Sequence, residues 1–357
     1  MSNARPNLSR FKGPIGVTGG SGFIGAHVIK RLLELGHEVR ALVMPNDPAR
    51  ALKGLNIQRI EGDILDGDAL DALMHECELV VHLAAIYALW MPQPERMHDV
   101  NVGGTREVMR AARRAGVKRV VHTSSIAAIG YEAGRKAASE ESIFDEYDIA
   151  DTYVLSKLLS EREALRPEHA KDMDVVVVNP AFPFGAFDFM PTPTGKIILS
   201  LMREELPFIV KGGFNGVNVR DVAEGHLLAA ERGRPGERYI LAGHNLSYAE
   251  FCAEVSALCG KRGPHLNLPS SLLVRLGSVA EIGARLSGVP PLFTKRSMAM
   301  TAGRYLYFDT SKAERELGYK PGPLQDALID AIGWLKSRES PHDISSLTSR
   351  LRKRLSL

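Results

Sequence analysis

Cysteine is scarce, with three residues (Cys77, Cys252 and Cys259) in 357. An odd number without paired spacing excludes a disulfide framework and suits a reducing compartment. Long apolar runs are missing too. No stretch reaches the roughly 18 apolar residues that a membrane-spanning helix needs. Neither sign of charge dominates: 45 Lys and Arg against 42 Asp and Glu leave a net +3. That is too little to suggest a nucleic-acid partner, and no long basic block interrupts the folded part. The eleven histidines form no HxxxH or HExxH pair, so no metal site is expected. The opening "MSNARPNLSRFK" is polar and lacks the apolar centre of a signal peptide. With 45% hydrophobic and 24% charged residues the balance is that of an ordinary globular chain, and a cytoplasmic location is expected.

What the chain does have is alternation. "PIGVT", "EVRALV", "IQRIEGD", "ELVVHLAA", "KRVVHTSS" and "MDVVVVNP" read as six strands, separated mostly by helical patterns up to Pro180. Nearly continuous Val/Ile/Leu runs suit a parallel sheet covered on both faces, and strands alternating with helices give a doubly wound α/β fold. After Pro180 the pattern changes. "AFPFGAFDFMPTPTG" reads as a loop over a site, and helices are expected near 247–260, 268–286, 310–317 and 322–337. The basic tail "SSLTSRLRKRLSL" reads as a frayed, solvated helix.

Two local patterns carry chemistry. In "VTGGSGFIG", Gly19, Gly22 and Gly25 lie where the first strand hands over to a helix. Glycines there permit a tight turn, backbone approach to a ligand, and close helix–strand packing, while the helix start favours a pyrophosphate. About 20 residues on, an NAD-preferring loop carries a carboxylate for the ribose 2′-hydroxyl. Here Val43 stands at the strand tip, so NADP is favoured and NAD remains possible, with Arg40, Arg50 and Lys53 as candidates for a 2′-phosphate. In "TYVLSK", Tyr153 and Lys157 lie four apart on one helical face, where an ammonium lowers a phenol's pKa and makes it a usable acid or base. Thr123, Ser124 and Ser125 close a parallel strand, at the end where open α/β sheets bind ligands. A serine there can donate to a carbonyl oxygen as charge develops on it.

Together the TGxxGxxG loop, the "LAA" stretch, "NVGGT", "TSS" and YxxxK resemble the extended short-chain dehydrogenase/reductase family over about residues 13–338. "YALWMPQPERMHDVNVGGT", "PTPTGKII" and "FDTSKAERELGYKP" resemble its dihydroflavonol-4-reductase-like branch, which includes hopanoid-associated sugar epimerases. The resemblance implies a Rossmann-type dinucleotide-binding domain over 13–180 and about 216–236. A smaller, mostly helical substrate lobe would take 181–215 and 237–338, with flexible termini at 1–12 and 339–357. It implies that Ser125 and Tyr153 bind the reacting oxygen and that Lys157 holds the nicotinamide ribose. Phe23 and Ile24 would lie under the pyrophosphate, and Asp63 and Ile64 at the adenine. Leu83, Ala84, Ala85 and Asn101 would line the cofactor, with Asn179, Pro180 and Ala181 near the nicotinamide. Tyr87, Trp90, Phe182 and Phe184 are candidates for the substrate pocket, although large apolar side chains equally suit an ordinary core. Related proteins often pair through the helices around 94–115 and 151–165, so a homodimer is implied.

The chain departs from the family pattern at three places. Met44 stands where plant-type reductases carry an arginine for the 2′-phosphate. Phe214 and Ala299 stand where sugar-nucleotide epimerases place arginines on the diphosphate. The expected activity is therefore hydride transfer between NADP(H) and a carbonyl or secondary alcohol of a small, fairly apolar substrate. The alternative is a nucleotide-sugar epimerase or dehydratase with a retained cofactor. A non-catalytic cofactor sensor is disfavoured by the intact Ser125, Tyr153 and Lys157.

Overall fold

Valine-rich strands and amphipathic helices alternate as the sequence requires, and the computed structural model describes residues 6–169, 171–287 and 294–338. In chain order the first half runs β1 (Ile15–Thr18), α1 (Phe23–Glu34), β2 (Val39–Val43), β3 (Gln58–Glu61), α2 (Gly67–Met74) and β4 (Leu79–His82). It continues through α3 (Glu95–His98), a π-helical turn (Asp99–Gly103), α4 (Gly104–Arg114), β5 (Arg119–Thr123), α5 (Thr152–Ala164) and β6 (Asp174–Pro180). The second half holds β7 (Phe182–Phe184), α6 (Pro193–Met202), β8 (Phe208–Val210), β9 (Gly213–Asn218), α7 (Val219–Arg232), β10 (Arg238–Leu241) and β11 (His244–Ser247). It closes with α8 (Tyr248–Cys259), β12 (Leu266–Leu268), α9 (Ser270–Ser287), α10 (Lys295–Thr301), β13 (Tyr305–Leu306), α11 (Ser311–Leu317) and α12 (Leu324–Arg338).

Seven parallel strands form the main sheet in the order β10-β6-β5-β4-β1-β2-β3. Val17, Val81, Val121, Val176 and Val178 are fully buried in it. Each such side chain contributes about 1.5–3 kcal/mol relative to exposure. The order reverses between β1 and β4, and doubly wound sheets hold ligands in the crevice beyond the carboxyl ends of the strands at such a point.

Two expectations need correction. Residues 237–241 do not belong to the second lobe, because β10 pairs with β6 from Arg238↔Val177 to Leu241↔Pro180. Beside its helices the second lobe holds short strands. β9 gathers β11, β13 and β7 into a four-stranded sheet, and β12 pairs with β8. Residues 6–12 are not loose: Leu8 and Phe11 pack into the main core, and the Arg10 guanidinium donates to the Ala230 carbonyl at 2.8 Å. Residues 1–5 and the basic tail at 339–357 lie outside the described residues. Among the described residues no helix is long and apolar enough to cross a membrane.

Candidate active site

The glycine loop is held against the end of β4. Gly19 has φ +69°, and a Cβ there would lie 2.5 Å from the Ala84 amide nitrogen. At Gly25 a Cβ would sit 2.2 Å from the Gly19 carbonyl oxygen, so α1 can approach the loop only without a side chain. Gly22 precedes α1 and offers no side-chain cap, which leaves the N–H groups of the first turn open to an external acceptor. Such a cradle fits a dinucleotide pyrophosphate.

A buried hydrogen-bonded chain ties this loop to the helix carrying Tyr153. Thr18 Oγ1 meets His82 Nδ1 at 2.7 Å and accepts from the Ala84 N–H at 3.2 Å. His82 Nε2 meets Thr105 Oγ1 at 3.0 Å, and Thr105 donates to the Asn101 carbonyl at 2.7 Å. Thr105 must then accept from His82, which makes His82 the neutral Nε2–H tautomer. Burial, assisted by the Lys157 charge, pushes its pKa down to about 3. Asn101 Oδ1 accepts from the Ile86 N–H at 2.7 Å, while its Nδ2 donates to Ser156 Oγ at 2.8 Å. Asn101 lies in the π-helical turn, a feature frequent at functional sites. Its contacts show it fixing the segment after β4 against α5.

On the other side of the crevice, β5 ends at Thr123 and Ser125 begins a short 3₁₀ turn, accepting from the Ala127 N–H at 3.1 Å. Asp151 caps α5 by accepting from the Val154 N–H at 2.9 Å. That places Tyr153 and Lys157 on the helix face toward β5. Burial pushes the Tyr153 phenol up to about 12, with the neighbouring Ser125 hydroxyl a smaller, lowering influence. Lys157 Nζ donates to the Thr123 carbonyl at 2.6 Å, and burial pushes it down to about 8, opposed by Glu161. The expected lowering of the phenol by Lys157 is therefore not the leading influence; desolvation is. The Tyr87 ring lies against Tyr153 with centroids 4.6 Å apart and planes tilted by 44°.

Several sequence candidates sit elsewhere. Arg40 turns from the crevice: its guanidinium donates to the Ala72, Leu73 and His75 carbonyls at 3.4, 3.3 and 2.5 Å, and to Gln58 Oε1. The free carbonyls and negative dipole end of α2 hold it there. Arg40→Met is accordingly expected to lower stability by about 1 kcal/mol and to leave NADPH affinity unchanged, as thermal melts and a binding titration would measure. Phe184 is 3% exposed in the second lobe's core, and Phe182 stacks edge-on against Phe214 at 5.3 Å. They pack inward because β7 pairs with β9. Phe187 and Phe189 of the same loop lie against Trp334, at 5.0 and 4.8 Å. Phe214 itself is buried among Phe182, Phe184, Tyr248 and Phe251. Three of the cations that could replace an arginine clamp are already engaged. Arg304 pairs with Glu146 at 2.7 Å, Arg296 donates to the Ala150 carbonyl at 2.7 Å, and Arg220 pairs with Asp330 at 2.8 Å.

The remaining candidates stay by the crevice. Phe23 and Ile24 open α1, and Leu83 and Ala84 follow β4. Asp63 Oδ1 accepts from the Leu65 N–H, and Ile64 is packed against Gly104. Asn179, at the end of β6, is fully buried and donates to the Ser125 carbonyl at 2.9 Å and to Glu161 Oε2 at 2.7 Å. Sequence reasoning missed Glu161, although it lies on the Tyr153–Lys157 face four residues further on. Away from the site, Glu163, Glu168 and His169 bring ligand atoms within 4.8 Å of one another, but Arg106 already donates to both oxygens of Glu163, at 3.2 and 3.0 Å.

A strand–glycine loop–helix cradle facing a serine, tyrosine and lysine across a parallel-sheet crevice is the architecture of a dinucleotide-dependent enzyme. Residues 15–242 match the NAD dependent epimerase/dehydratase family, and the chain belongs to that family, within the extended short-chain dehydrogenase/reductases and their dihydroflavonol-reductase-like branch. It is an NAD(P)-dependent reductase/dehydrogenase of that type. A Synechocystis sp. protein assigned as a dihydroflavonol 4-reductase is 39% identical over 325 residues, covering 90% of this chain and 94% of its own length. Sterol demethylase protein B of Methylococcus capsulatus is 33% identical, covering 90% of this chain and 98% of its own. The crystal structure of gox2253 is 39% identical with TM-score 0.81, covering 92% of this chain and 99% of that one.

Proposed function

We propose that this enzyme moves hydride between NADP(H) and a carbonyl or secondary alcohol on a small, fairly apolar substrate. The observation that carries the reading is Tyr153 on α5, beside Ser125 and one helical turn from Lys157, whose Nζ donates to the Thr123 carbonyl at the carboxyl end of β5. A bound nicotinamide supplies or accepts the hydride. Tyr153 delivers the proton to the carbonyl oxygen, Ser125 donates a hydrogen bond to that oxygen, and Lys157 binds the nicotinamide ribose. The main sheet takes the cofactor, and the second lobe closes over the substrate.

Support for an apolar substrate comes from what faces the reacting phenol. Tyr87 is 38% exposed and its ring lies tilted against Tyr153, with Trp90 three residues on and partly exposed. A diphosphate needs charge-assisted partners. Phe214 is sealed in an aromatic core, and Arg304 and Arg220 are paired with Glu146 and Asp330. The sterol-named relative is consistent with such a substrate.

The NADP preference rests on the tip of β2. Val43 is buried and Met44 is 45% exposed, so no carboxylate waits for a 2′-hydroxyl. Arg50 and Lys53 are exposed in the following segment and replace Arg40 as candidates for the 2′-phosphate. Fluorescence titration at one ionic strength should give several-fold tighter binding of NADPH than NADH, with Arg50→Ala narrowing the difference. Equal or tighter NADH binding would remove the preference.

A further inference from the structure

One buried carboxylate is linked to both halves of the constellation, to Ser125 through Asn179 and to Lys157 by its place one helical turn further along α5, and nothing in the proposed chemistry uses it. Glu161 is 4% exposed and lies on the α5 face that carries Tyr153 and Lys157, at i+8 and i+4. Its Oε2 accepts from Asn179 Nδ2 at 2.7 Å, and the same amide donates to the Ser125 carbonyl at 2.9 Å. Both amide hydrogens of Asn179 are thereby committed, one to α5 and one to the backbone of the serine. Glu161 Oε1 accepts from Arg238 at 3.1 Å. That arginine also donates to the Glu140 carbonyl, and the Glu140 carboxylate accepts from the Ile240 N–H at 2.8 Å.

We propose that Glu161 is a positioning residue for both arms of the site: through Asn179 it fixes the Ser125 backbone, and through its charge it keeps Lys157 an ammonium. The charge argument follows from what faces Lys157. From β5 come the Thr123 carbonyl and His122, from β4 His82, and from its own helix Tyr153 and Glu161. Arg238 of β10 stands behind Glu161. Burial holds both histidines neutral, and Tyr153 is neutral as well. Glu161 is therefore the anion that faces two cations, the buried Lys157 and the part-exposed Arg238. Desolvation works against the ammonium, and without this carboxylate only a carbonyl would support it. The hydrogen-bond arm acts on Ser125 alone.

This inference rests on the proposed roles of Ser125, Tyr153 and Lys157, and its test does not need turnover. In cofactor-free protein carrying carbon-labelled lysine, NMR titration of the ε-carbon signal reads the Lys157 midpoint directly, the signal being assigned with Lys157→Met. The midpoint is expected near the value burial sets in the unaltered chain, about 8. In Glu161→Gln it should fall by about one unit or more. Glu161→Asp keeps the charge and should return it toward the starting value. If Glu161→Gln unfolds because Arg238 is left unpaired, Glu161→Gln/Arg238→Gln removes both charges and is read in the same way. An unchanged midpoint in either folded variant overturns the proposal, as does an unaltered chain whose Lys157 titrates like a free lysine. In the reduction direction the alkaline loss of turnover should move to lower pH with the midpoint, because the ammonium disappears earlier as pH rises. Movement of the midpoint without movement of the pH profile would overturn the link from Lys157 to the reaction while leaving the electrostatic role of Glu161 standing.

Discussion

Tyr153→Phe is expected to reduce turnover by roughly 10²–10⁴-fold, the loss that follows removal of a general acid. The substitution deletes one oxygen and keeps the ring packed against Tyr87 at 4.6 Å. The packing of Val154 and Leu158 beneath it is untouched. Melting temperature and NADPH affinity should therefore stay close to those of the unaltered chain. Ser125 keeps the Ala127 N–H at 3.1 Å, so the 3₁₀ turn should remain in place. Steady-state kinetics with a saturating carbonyl substrate measures the effect. A fall in kcat without a rise in KM marks a proton donor, whereas a rise in KM alone would make Tyr153 a binding residue.

Gly19→Ala is expected to impair both folding and cofactor binding. The left-handed φ of +69° costs a side-chain-bearing residue about 1–2 kcal/mol. The new Cβ would also lie 2.5 Å from the Ala84 nitrogen and 2.7 Å from the Leu83 carbonyl carbon. Neither can give way easily, because the Leu83 N–H donates to the Thr18 carbonyl at 3.1 Å and the Ala84 N–H to Thr18 Oγ1 at 3.2 Å. A total of about 3 kcal/mol is a reasonable scale for strain plus overlap. Any relaxation must push the loop into the crevice, where it should weaken NADPH binding about tenfold or more. Gly36→Ala is the control: its φ of +83° carries the same backbone penalty, but a Cβ there meets nothing within 4 Å. It should destabilise modestly and leave cofactor affinity alone. Denaturation and binding titrations on both variants separate the two effects.

Much of this was legible in the sequence wherever a feature depends on neighbours along the chain. The strand–glycine–helix loop and the Tyr153–Lys157 spacing are local geometry. The seven-stranded sheet follows from alternation, apart from β10, whose short "RYIL" carries no signal of where it will pair. Distance along the chain set the limit. Arg40 reads as an exposed strand cation, and only the fold brings the carboxyl end of α2 beneath it. Phe182 and Phe184 read as a loop's aromatic lining until β7 pairs with β9, some 30 residues later, and turns them into the second lobe. Glu161 was visible as the next position on the Tyr153–Lys157 face, but its partners Asn179 and Arg238 lie on separate strands. Buried partners joined through tertiary structure leave no spacing to read.

The central claim is net redox turnover of an apolar carbonyl compound, and the most direct measurement is the stoichiometry of added NADPH. Purified protein is mixed with apolar aldehydes and ketones in one series and with nucleotide-sugars in the other, and cofactor oxidation is compared with product formed. Matched consumption of NADPH and an apolar carbonyl substrate, abolished in Tyr153→Phe, is the result expected here. Conversion of a nucleotide-sugar with no net consumption of NADPH would contradict it.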